Sequence, residues 1–228
     1  MRIHVAFTPE EQAAAPIGIV VDVIRATSSI TQALEAGYER VLCCAEIDEA
    51  RALRGELGDE AVVGGEREGI VVDGFDVGAS PREFALAPRA KTLILTTTNG
   101  TRTILTAAAR CDVVLLGSLL NLSAVVDVAR ASGEDVAILC SGFKGAFALD
   151  DAYCAGRFVQ ALAGESSDAA IAAEVVARTW PDPLEGLNAR TYGPPGLEAD
   201  IEFCAQVDLL STVPRFARMA GPAAEITA

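Results

Sequence analysis

Short apolar stretches alternate along the chain with longer segments in which apolar residues recur at helical spacing. The apolar stretches predict buried strands, and the periodic segments predict helices. The predicted strands cover residues 17–23, 40–44, 61–63, 92–96, 113–116 and 136–140. The predicted helices cover residues 27–36, 46–57, 101–110, 123–131, 150–162, 171–178 and 197–207.

This alternation of strand and helix predicts an α/β fold with three α/β/α layers around a mixed, largely parallel sheet. Residues 70–78 predict a hairpin or an extended loop, and the Pro- and Gly-rich residues 181–195 predict a connector. Residues 209–213 predict an edge strand, with a weakly ordered tail after them. We expect residues 1–228 to form a single domain, in which a boundary between sub-lobes would fall near 180–195.

The chain is acidic, and this narrows the range of partners. It contains 18 Lys and Arg residues against 32 Asp and Glu, a net charge of −14, and no Lys/Arg cluster. Such a charge opposes binding to nucleic acid or to an anionic membrane. The hydrophobic share of 51% fits a packed core, and no apolar run is long enough to span a bilayer. We expect a cytoplasmic protein that binds neither nucleic acid nor membrane, and a homo-oligomer is compatible with the sequence.

Several familiar catalytic motifs are missing from the sequence. It contains neither a GxGxxG dinucleotide-binding motif after a strand nor a GxxxxGK[ST] phosphate-binding loop. The single histidine, His4, lies near the N-terminus, which disfavours both a Ser-His-Asp triad and a zinc site. The six cysteines form no CxxC pair and mostly lie in apolar stretches, so we expect buried, reduced thiols.

Residues that can carry chemistry gather where predicted strands end, the position at which ligands bind in parallel α/β sheets. After the first predicted strand come Asp22, Arg25 and Thr27. Hydroxyls and N–H groups at a helix start favour an anion, and Arg25 can add a bidentate phosphate contact. Asp22 would repel that anion unless a divalent cation lay between them, which indicates a metal. A structural alternative stays open, in which Thr27 or Ser28 caps the helix and Asp22 pairs with Arg25.

A second polar cluster follows the fourth predicted strand and reads Thr-Thr-Asn-Gly-Thr-Arg over residues 97–102. Its candidate substrate-binding residues are Thr98, Asn99, Gly100, Thr101 and Arg102. Gly100 permits a positive φ, so that consecutive N–H groups can turn toward an anion as a nest. The structural alternative is a strand, a turn and a helix cap without a ligand.

Two further clusters complete the candidate site. Glu66 and Arg67 lie between glycines after the third predicted strand, where Glu66 can bind a metal and Arg67 an anion. Gly142 follows the last predicted strand, and the acids Asp150 and Asp151 begin the next predicted helix. Paired acids near a strand end can complete an oxygen-ligand magnesium site, although an acid at a helix start is often only a cap.

Together these runs resemble the 2-phosphosulfolactate phosphatase family over nearly the whole chain, from about residue 19 to residue 213. The residues that carry the resemblance are Val21-Asp22-Val23-Ile24-Arg25-Ala26-Thr27-Ser28, Gly64-Gly65-Glu66-Arg67, Gly74-Phe75-Asp76 with Ser80-Pro81, Thr96-Thr97-Thr98-Asn99-Gly100-Thr101-Arg102, Gly117-Ser118 with Asn121, Leu149-Asp150-Asp151 with Cys154-Ala155-Gly156, and Asp200-Ile201-Glu202-Phe203-Cys204. The chain departs from the family pattern on both sides of Phe147, where it has Ala146 and Ala148.

The resemblance implies Mg²⁺-dependent hydrolysis of a small anionic substrate, 2-phosphosulfolactate, to sulfolactate and phosphate, as in coenzyme M biosynthesis. On this hypothesis Asp22, with Glu66 or Asp151, binds Mg²⁺, while arginines and backbone N–H groups bind the substrate. Asp22 or Asp151 could instead attack phosphorus directly. Two alternatives stay open. One is a phosphatase for another small phosphorylated hydroxy acid, and the other is a non-catalytic phospho-acid-binding module, which Ala146 and Ala148 alone support.

Overall fold

The strands of this chain form one mixed sheet in the computed structural model, which describes residues 1–11, 13–86, 88–191 and 193–228. The strands among these residues are β1 (Arg2–Ala6), β2 (Ile17–Val21), β3 (Arg40–Cys43), β4 (Ala61–Arg67), β5 (Ile70–Val71), β6 (Thr92–Thr96), β7 (Val113–Gly117), β8 (Val136–Cys140), β9 (Glu165–Ser166), β10 (Arg215–Ala220) and β11 (Ala223–Thr227). All the strands predicted up to residue 140 are confirmed, with ends that shift by a few residues.

Helices pack on both faces of the sheet. The α-helices in the described part of the chain are α1 (Ala26–Glu35), α2 (Ile47–Leu57), α3 (Pro81–Phe84), α4 (Gly100–Ala108), α5 (Leu122–Ser132), α6 (Leu149–Leu162), α7 (Asp168–Thr179), α8 (Pro183–Asn188) and α9 (Glu198–Cys204). The predicted helices are all confirmed. Helix α2 shows why, since Glu46 and Glu49 form a reciprocal capping box at its start. None of the helices built from described residues has the length and apolarity needed to cross a membrane.

The sheet consists of two parallel blocks joined by an antiparallel hairpin. Its order is β5-β4-β6-β3-β11-β10-β7-β2-β8-β1-β9. Strands β4, β6 and β3 form one parallel block, and β7, β2, β8, β1 and β9 form the other. The hairpin β10–β11 is antiparallel to β7 on one side and to β3 on the other. This confirms the predicted α/β architecture with a mixed, largely parallel sheet.

The C-terminal hairpin shows that the prediction of a weakly ordered tail is wrong. Strand β11 pairs with β3, and its residues Ala224 and Ile226 are fully buried. The hairpin is not visible in the hydrophobic pattern because the side chains of β10 are partly or fully exposed. The segment therefore lacks the continuous apolar run that predicts a buried strand. The predicted edge strand at 209–213 is also wrong, since these residues form no strand, although Leu210 donates its N–H to the Leu120 carbonyl at 2.8 Å.

Two connecting segments are more ordered than the sequence indicates. Strand β5 pairs antiparallel with the end of β4, which settles residues 70–78 as beginning with a short hairpin. The predicted connector 181–195 contains α8, whose start is capped by Asp182, the acceptor of the Glu185 N–H at 2.9 Å. The single-domain organisation, with a sub-lobe boundary near 180–195, stays a prediction.

Helices α1 and α4 pack with side chains from both parallel blocks. One core cluster contains Val20 of β2 and Leu95 of β6 together with Ile30 of α1 and Ile104 of α4. Helix α1 follows β2 directly, and α4 follows β6. Packing the two helices into one cluster therefore brings the loops after β2 and β6 side by side, and the candidate site lies there.

Candidate active site

A cavity of about 210 Å³ lies where the loops after β2, β4, β6 and β8 meet. The predicted site residues that line it are Asp22, Arg25, Glu66, Thr98, Asn99, Gly142 and Asp151. They come from four different strand ends, so the structure brings together residues that are far apart in the sequence. This agrees with the binding position expected of a parallel α/β sheet.

Asp22 is held by the first residues of α1. Its Oδ1 accepts the N–H of Ala26 at 3.2 Å, and its carbonyl oxygen accepts the N–H and the hydroxyl of Thr27 at 3.0 and 2.9 Å. The donors of Ala26 and Thr27 are thus taken by Asp22, so they do not form the anion site predicted at this helix start. Burial raises the pKa of Asp22 to about 7, and the charges of Glu66 and Asp150 add to this effect.

Asp151 joins two strand ends through its side chain. Its Oδ1 accepts the N–H of Val23 at 2.9 Å, and its Oδ2 accepts the N–H of Gly142 at 3.0 Å. Burial, followed by the charges of Asp150 and Asp22, raises the pKa of Asp151 well above its ordinary value, although both hydrogen bonds lower it. Two carboxyls that each resist ionisation therefore face the same cavity.

Gly100 lies close to Asp22 and does not adopt the predicted positive φ. It is the first residue of α4, and its φ lies outside the left-handed region, so the predicted anion nest is wrong at this residue. A Cβ at this position would lie 2.5 Å from the Cβ of Ala26 and 2.7 Å from Oδ2 of Asp22. Glycine is needed here because α4 begins in contact with the Asp22 carboxylate.

Glu66 organises the loop after β6. Its Oε1 accepts the N–H and the hydroxyl of Thr98 at 2.8 and 3.0 Å, and its Oε2 accepts the N–H of Gly69 at 2.7 Å. Both carboxylate oxygens are therefore engaged, although each retains capacity for a further contact. This predicted metal ligand holds the ends of β4 and β6 in a fixed relation.

Lys144, in the loop after β8, contacts the loops after β4 and β6. Its backbone N–H donates to Oδ1 of Asn99 at 3.1 Å, and its Nζ lies 2.6 Å from Oε1 of Glu68. Lys144 itself does not line the cavity, and its side chain is half exposed. Its contacts show that three loops from different strands form one connected rim.

Arg25 lines the cavity and is oriented by a carboxylate from α9. Its Nη1 donates to Oδ2 of Asp200 at 2.8 Å, and the two side chains are 11% and 8% exposed. The hydroxyl of Ser80 donates to the other oxygen of Asp200 at 2.6 Å. The alternative in which Arg25 pairs with Asp22 is therefore wrong.

The other two predicted arginines do not reach the cavity. Arg67 donates to two backbone carbonyls and to the hydroxyl of Thr96, the last at 2.9 Å. Arg102 is exposed and pairs with Glu46 at 2.5 Å. Direct substrate contacts of Arg67 and Arg102 stay predictions that these interactions do not support. Three further predicted substrate-binding residues do not line the cavity: Thr27, Gly100 and Thr101.

Two functional residues, Arg190 and Asp200, lie outside the strand-end clusters from which the site was predicted. Arg190 lines the cavity, and its Nη1 lies 4.0 Å from Oδ2 of Asp150. A signal for Arg190 was present, because it is the only basic residue in the segment 181–195. Asp200 lies in the last of the family-like runs, but nothing in the local pattern shows that it reaches back to Arg25.

The donor set of the cavity suits a hard cation. Among the described residues, no group of three or more His, Cys, Asp or Glu side chains is arranged as a metal site. Mg²⁺, however, is often bound by one or two carboxylates together with water and substrate phosphate. Asp22 and Asp151 can supply these carboxylates, and a cation would offset the burial and the neighbouring negative charges that raise the pKa of both. The residues present therefore fit Mg²⁺.

Comparison with known proteins agrees with the resemblance seen in the sequence. Residues 4–218 match the family described as 2-phosphosulpholactate phosphatase. A protein of Thermus thermophilus named probable 2-phosphosulfolactate phosphatase is 41% identical, with 94% of each chain covered. Proteins of the same name from Clostridium acetobutylicum and Synechococcus sp. (strain JA-3-3Ab) are 37% and 38% identical; the alignments cover 91% and 94% of this chain and 92% and 96% of theirs. The chain therefore belongs to the 2-phosphosulfolactate phosphatase family.

Proposed function

We propose that this chain hydrolyses the phosphate monoester of 2-phosphosulfolactate, giving sulfolactate and inorganic phosphate in a Mg²⁺-dependent reaction. One observation carries the proposal: the carboxylates of Asp22 and Asp151 face the same cavity as the guanidinium of Arg25. That space thus combines oxygen ligands for a cation with a donor for an anion. Family membership and the names of the relatives support the choice of substrate.

Asp22 and Asp151 would hold the Mg²⁺. Glu66 is a third candidate, although both of its oxygens already accept hydrogen bonds. When bound, the ion offsets the negative charge of the phosphoryl oxygens. The protein contributes the fixed position of the carboxylates, because backbone N–H groups of Ala26, Val23 and Gly142 hold them in place.

Arg25 would bind the phosphate group. A guanidinium has five N–H donors, and Asp200 accepts from Nη1, so donors remain for the substrate. Asp200 also offsets the charge of Arg25, and this arginine therefore acts mainly by the direction of its hydrogen bonds. Phosphoryl transfer depends chiefly on such positioning and on charge stabilisation.

Attack by water fits the geometry better than attack by a carboxylate. Both oxygens of Asp151 accept backbone N–H groups, Oδ1 of Asp22 accepts the Ala26 N–H, and Oδ2 of Asp22 lies against Gly100. Three of these four oxygens already accept backbone hydrogen bonds and the fourth is packed against Gly100, so both carboxylates are better held for binding a cation than for moving toward phosphorus. We therefore propose direct hydrolysis without an aspartyl-phosphate. Acid quenching followed by intact-mass measurement tests this, since a phosphorylated protein would contradict it.

The proposal includes a cytoplasmic reaction in coenzyme M biosynthesis or another sulfonate pathway. The experiment that tests the activity measures phosphate release by the purified protein from 2-phosphosulfolactate, phospholactate and phosphoglycerate. We expect turnover of 2-phosphosulfolactate that EDTA abolishes and added Mg²⁺ restores. Preference for another phosphorylated hydroxy acid would identify a different substrate, and metal-dependent binding without phosphate release would identify a binding module.

A further inference from the structure

Arg190 differs from Arg25 and Arg67 in that its guanidinium donates no hydrogen bond to the described residues. Its side chain is 16% exposed and lines the cavity. Its nearest carboxylate oxygen, in Asp150, is 4.0 Å away, and among the described residues Arg190 donates no hydrogen bond. Arg25, in contrast, donates to Asp200, and Arg67 makes three hydrogen bonds.

The local chain leaves space for the Arg190 guanidinium beside the cavity. Gly193 has φ +140, and a Cβ at this residue would lie 2.6 Å from Nη1 of Arg190. A guanidinium that is largely removed from water costs free energy unless its donors meet acceptors. The cavity therefore offers a second position for an oxyanion, in addition to the one beside Arg25.

We propose that Arg190 binds the acid group of the substrate that does not react, either its carboxylate or its sulfonate. This inference rests on the proposed function. The proposed phosphate position lies beside Asp22 and Arg25, which immediately precede α1, and Asp151 accepts a hydrogen bond from Val23 in the same loop. Arg190 lies on a separate segment after α8, so it can reach a different end of the same small molecule. Its planar donors match an oxyanion, which makes it a specificity-determining residue.

The test compares Arg190→Gln with the unchanged protein on three substrates. These are 2-phosphosulfolactate, phospholactate, which lacks the sulfonate, and 2-phosphooxyethanesulfonate, which lacks the carboxylate. We expect Arg190→Gln to lower kcat/KM for 2-phosphosulfolactate on the order of 10- to 100-fold. The analogue without the bound group should be hydrolysed about equally by both proteins, and so it identifies that group.

Two variants act as controls. Arg178→Gln changes an exposed arginine paired with Glu174 in α7, and it should leave all three rates unchanged. Arg190→Lys retains the charge but loses the paired donors, and we expect an intermediate loss that is again confined to substrates with the bound group. It also replaces Arg190→Gln if that variant fails to fold. An equal loss on all three substrates, or no loss on any, would overturn the proposal.

A binding measurement separates this inference from the proposed activity. If the unchanged protein hydrolyses none of the three substrates, the proposed function fails, and calorimetry with sulfolactate alone decides the role of Arg190. Binding that Arg190→Gln weakens on the order of tenfold or more supports the role. Equal affinity of the two proteins, or no binding by either, overturns it.

Discussion

Asp151 accepts a hydrogen bond at 2.9 Å from the backbone N–H of Val23, which lies 128 residues earlier in the chain. The other oxygen of Asp151 accepts the N–H of Gly142 at 3.0 Å. Strands β2 and β8 are neighbours in the sheet, and Val21 pairs with Cys140 at their ends. One carboxylate thus fixes the two loops that leave these strands, and the shape of the candidate site depends on it.

Replacing Asp151 by Asn should damage both stability and activity. The amide can accept from only one of the two N–H groups, and its NH₂ would face the other. We expect the free energy of unfolding to fall by about 1–3 kcal/mol and kcat/KM to fall by at least ~100-fold. Urea denaturation and phosphate-release rates measure the two effects. Asp127→Asn, on the exposed face of α5, is the matched control and should change neither.

Asp22 should make the metal-free protein less stable as pH rises. Its pKa is about 7 in the folded protein and 3.8 in an unperturbed chain, so the folded state binds the proton more tightly. The contribution of this carboxyl to stability is therefore complete below about pH 4 and is lost as pH rises toward 7. Urea midpoints measured in EDTA between pH 5 and pH 8 would record this slope.

The Asp22→Asn variant isolates the contribution of this one carboxyl, because Asp150 and Asp151 also have raised pKa values. The variant should gain stability relative to the unchanged protein as pH increases, and added Mg²⁺ should reduce that difference. Parallel pH dependences of the two proteins in EDTA would show that Asp22 is not the titrating group.

Local patterning was sufficient to predict much of this fold. The strand at 92–96 is predicted by its continuous run of buried residues. The helix that ends at Leu57 is predicted by the Glu46–Glu49 capping box at its start and by Gly58 after its last residue. Strand β10 could not be predicted in this way. Its side chains are largely exposed, and the place of the β10–β11 hairpin in the sheet depends on β7 and β3, which lie about a hundred residues or more earlier in the sequence.

The site was predictable to a similar degree. Asp22 and Asn99 follow buried strands, so their position at a strand end was visible in the sequence. The direction of a long side chain was not visible, because it depends on partners elsewhere in the chain. Arg102 forms an ion pair with Glu46 at the surface. Arg190 lines the cavity although its segment contains no strand.

Asp200 should act as a positioning residue for Arg25. Asp200→Asn leaves a buried guanidinium without its charged partner, and we expect a loss of about 3 kcal/mol or more in stability. Because Arg25 would lose its fixed orientation, KM should rise, and kcat/KM should fall by roughly tenfold. Steady-state kinetics and urea denaturation provide the two measurements.

Arg82→Gln is the control for Asp200→Asn. Arg82 lies 4.0 Å from the same carboxylate, but its side chain is 55% exposed. Exposed ion pairs contribute little to stability, so this variant should resemble the unchanged protein. If both variants behaved alike, the buried contact between Asp200 and Arg25 would have no special role.

Ala148 offers a direct test of one departure from the family pattern. It is the N-cap residue of α6 and has extended backbone angles, but its side chain cannot accept a hydrogen bond. The N–H of Asp151 in the first turn already donates to Oδ1 of Asp150 at 3.1 Å, so Ala148→Ser should add a second acceptor there and raise the free energy of unfolding by about 0.5 kcal/mol, the low end for such caps. Thermal and urea denaturation measure this gain. Ala131→Ser, at an exposed position within α5, lacks the cap geometry and should not stabilise the protein.

The most direct test of the whole account is the initial rate of phosphate release from 2-phosphosulfolactate by the Asp22→Asn variant in the presence of Mg²⁺. This substitution keeps the size of the side chain but removes the charge that we propose for cation binding. The account predicts a folded protein, verified by circular dichroism, whose rate is lower by at least ~100-fold. A folded Asp22→Asn variant that released phosphate at the rate of the unchanged protein would contradict it.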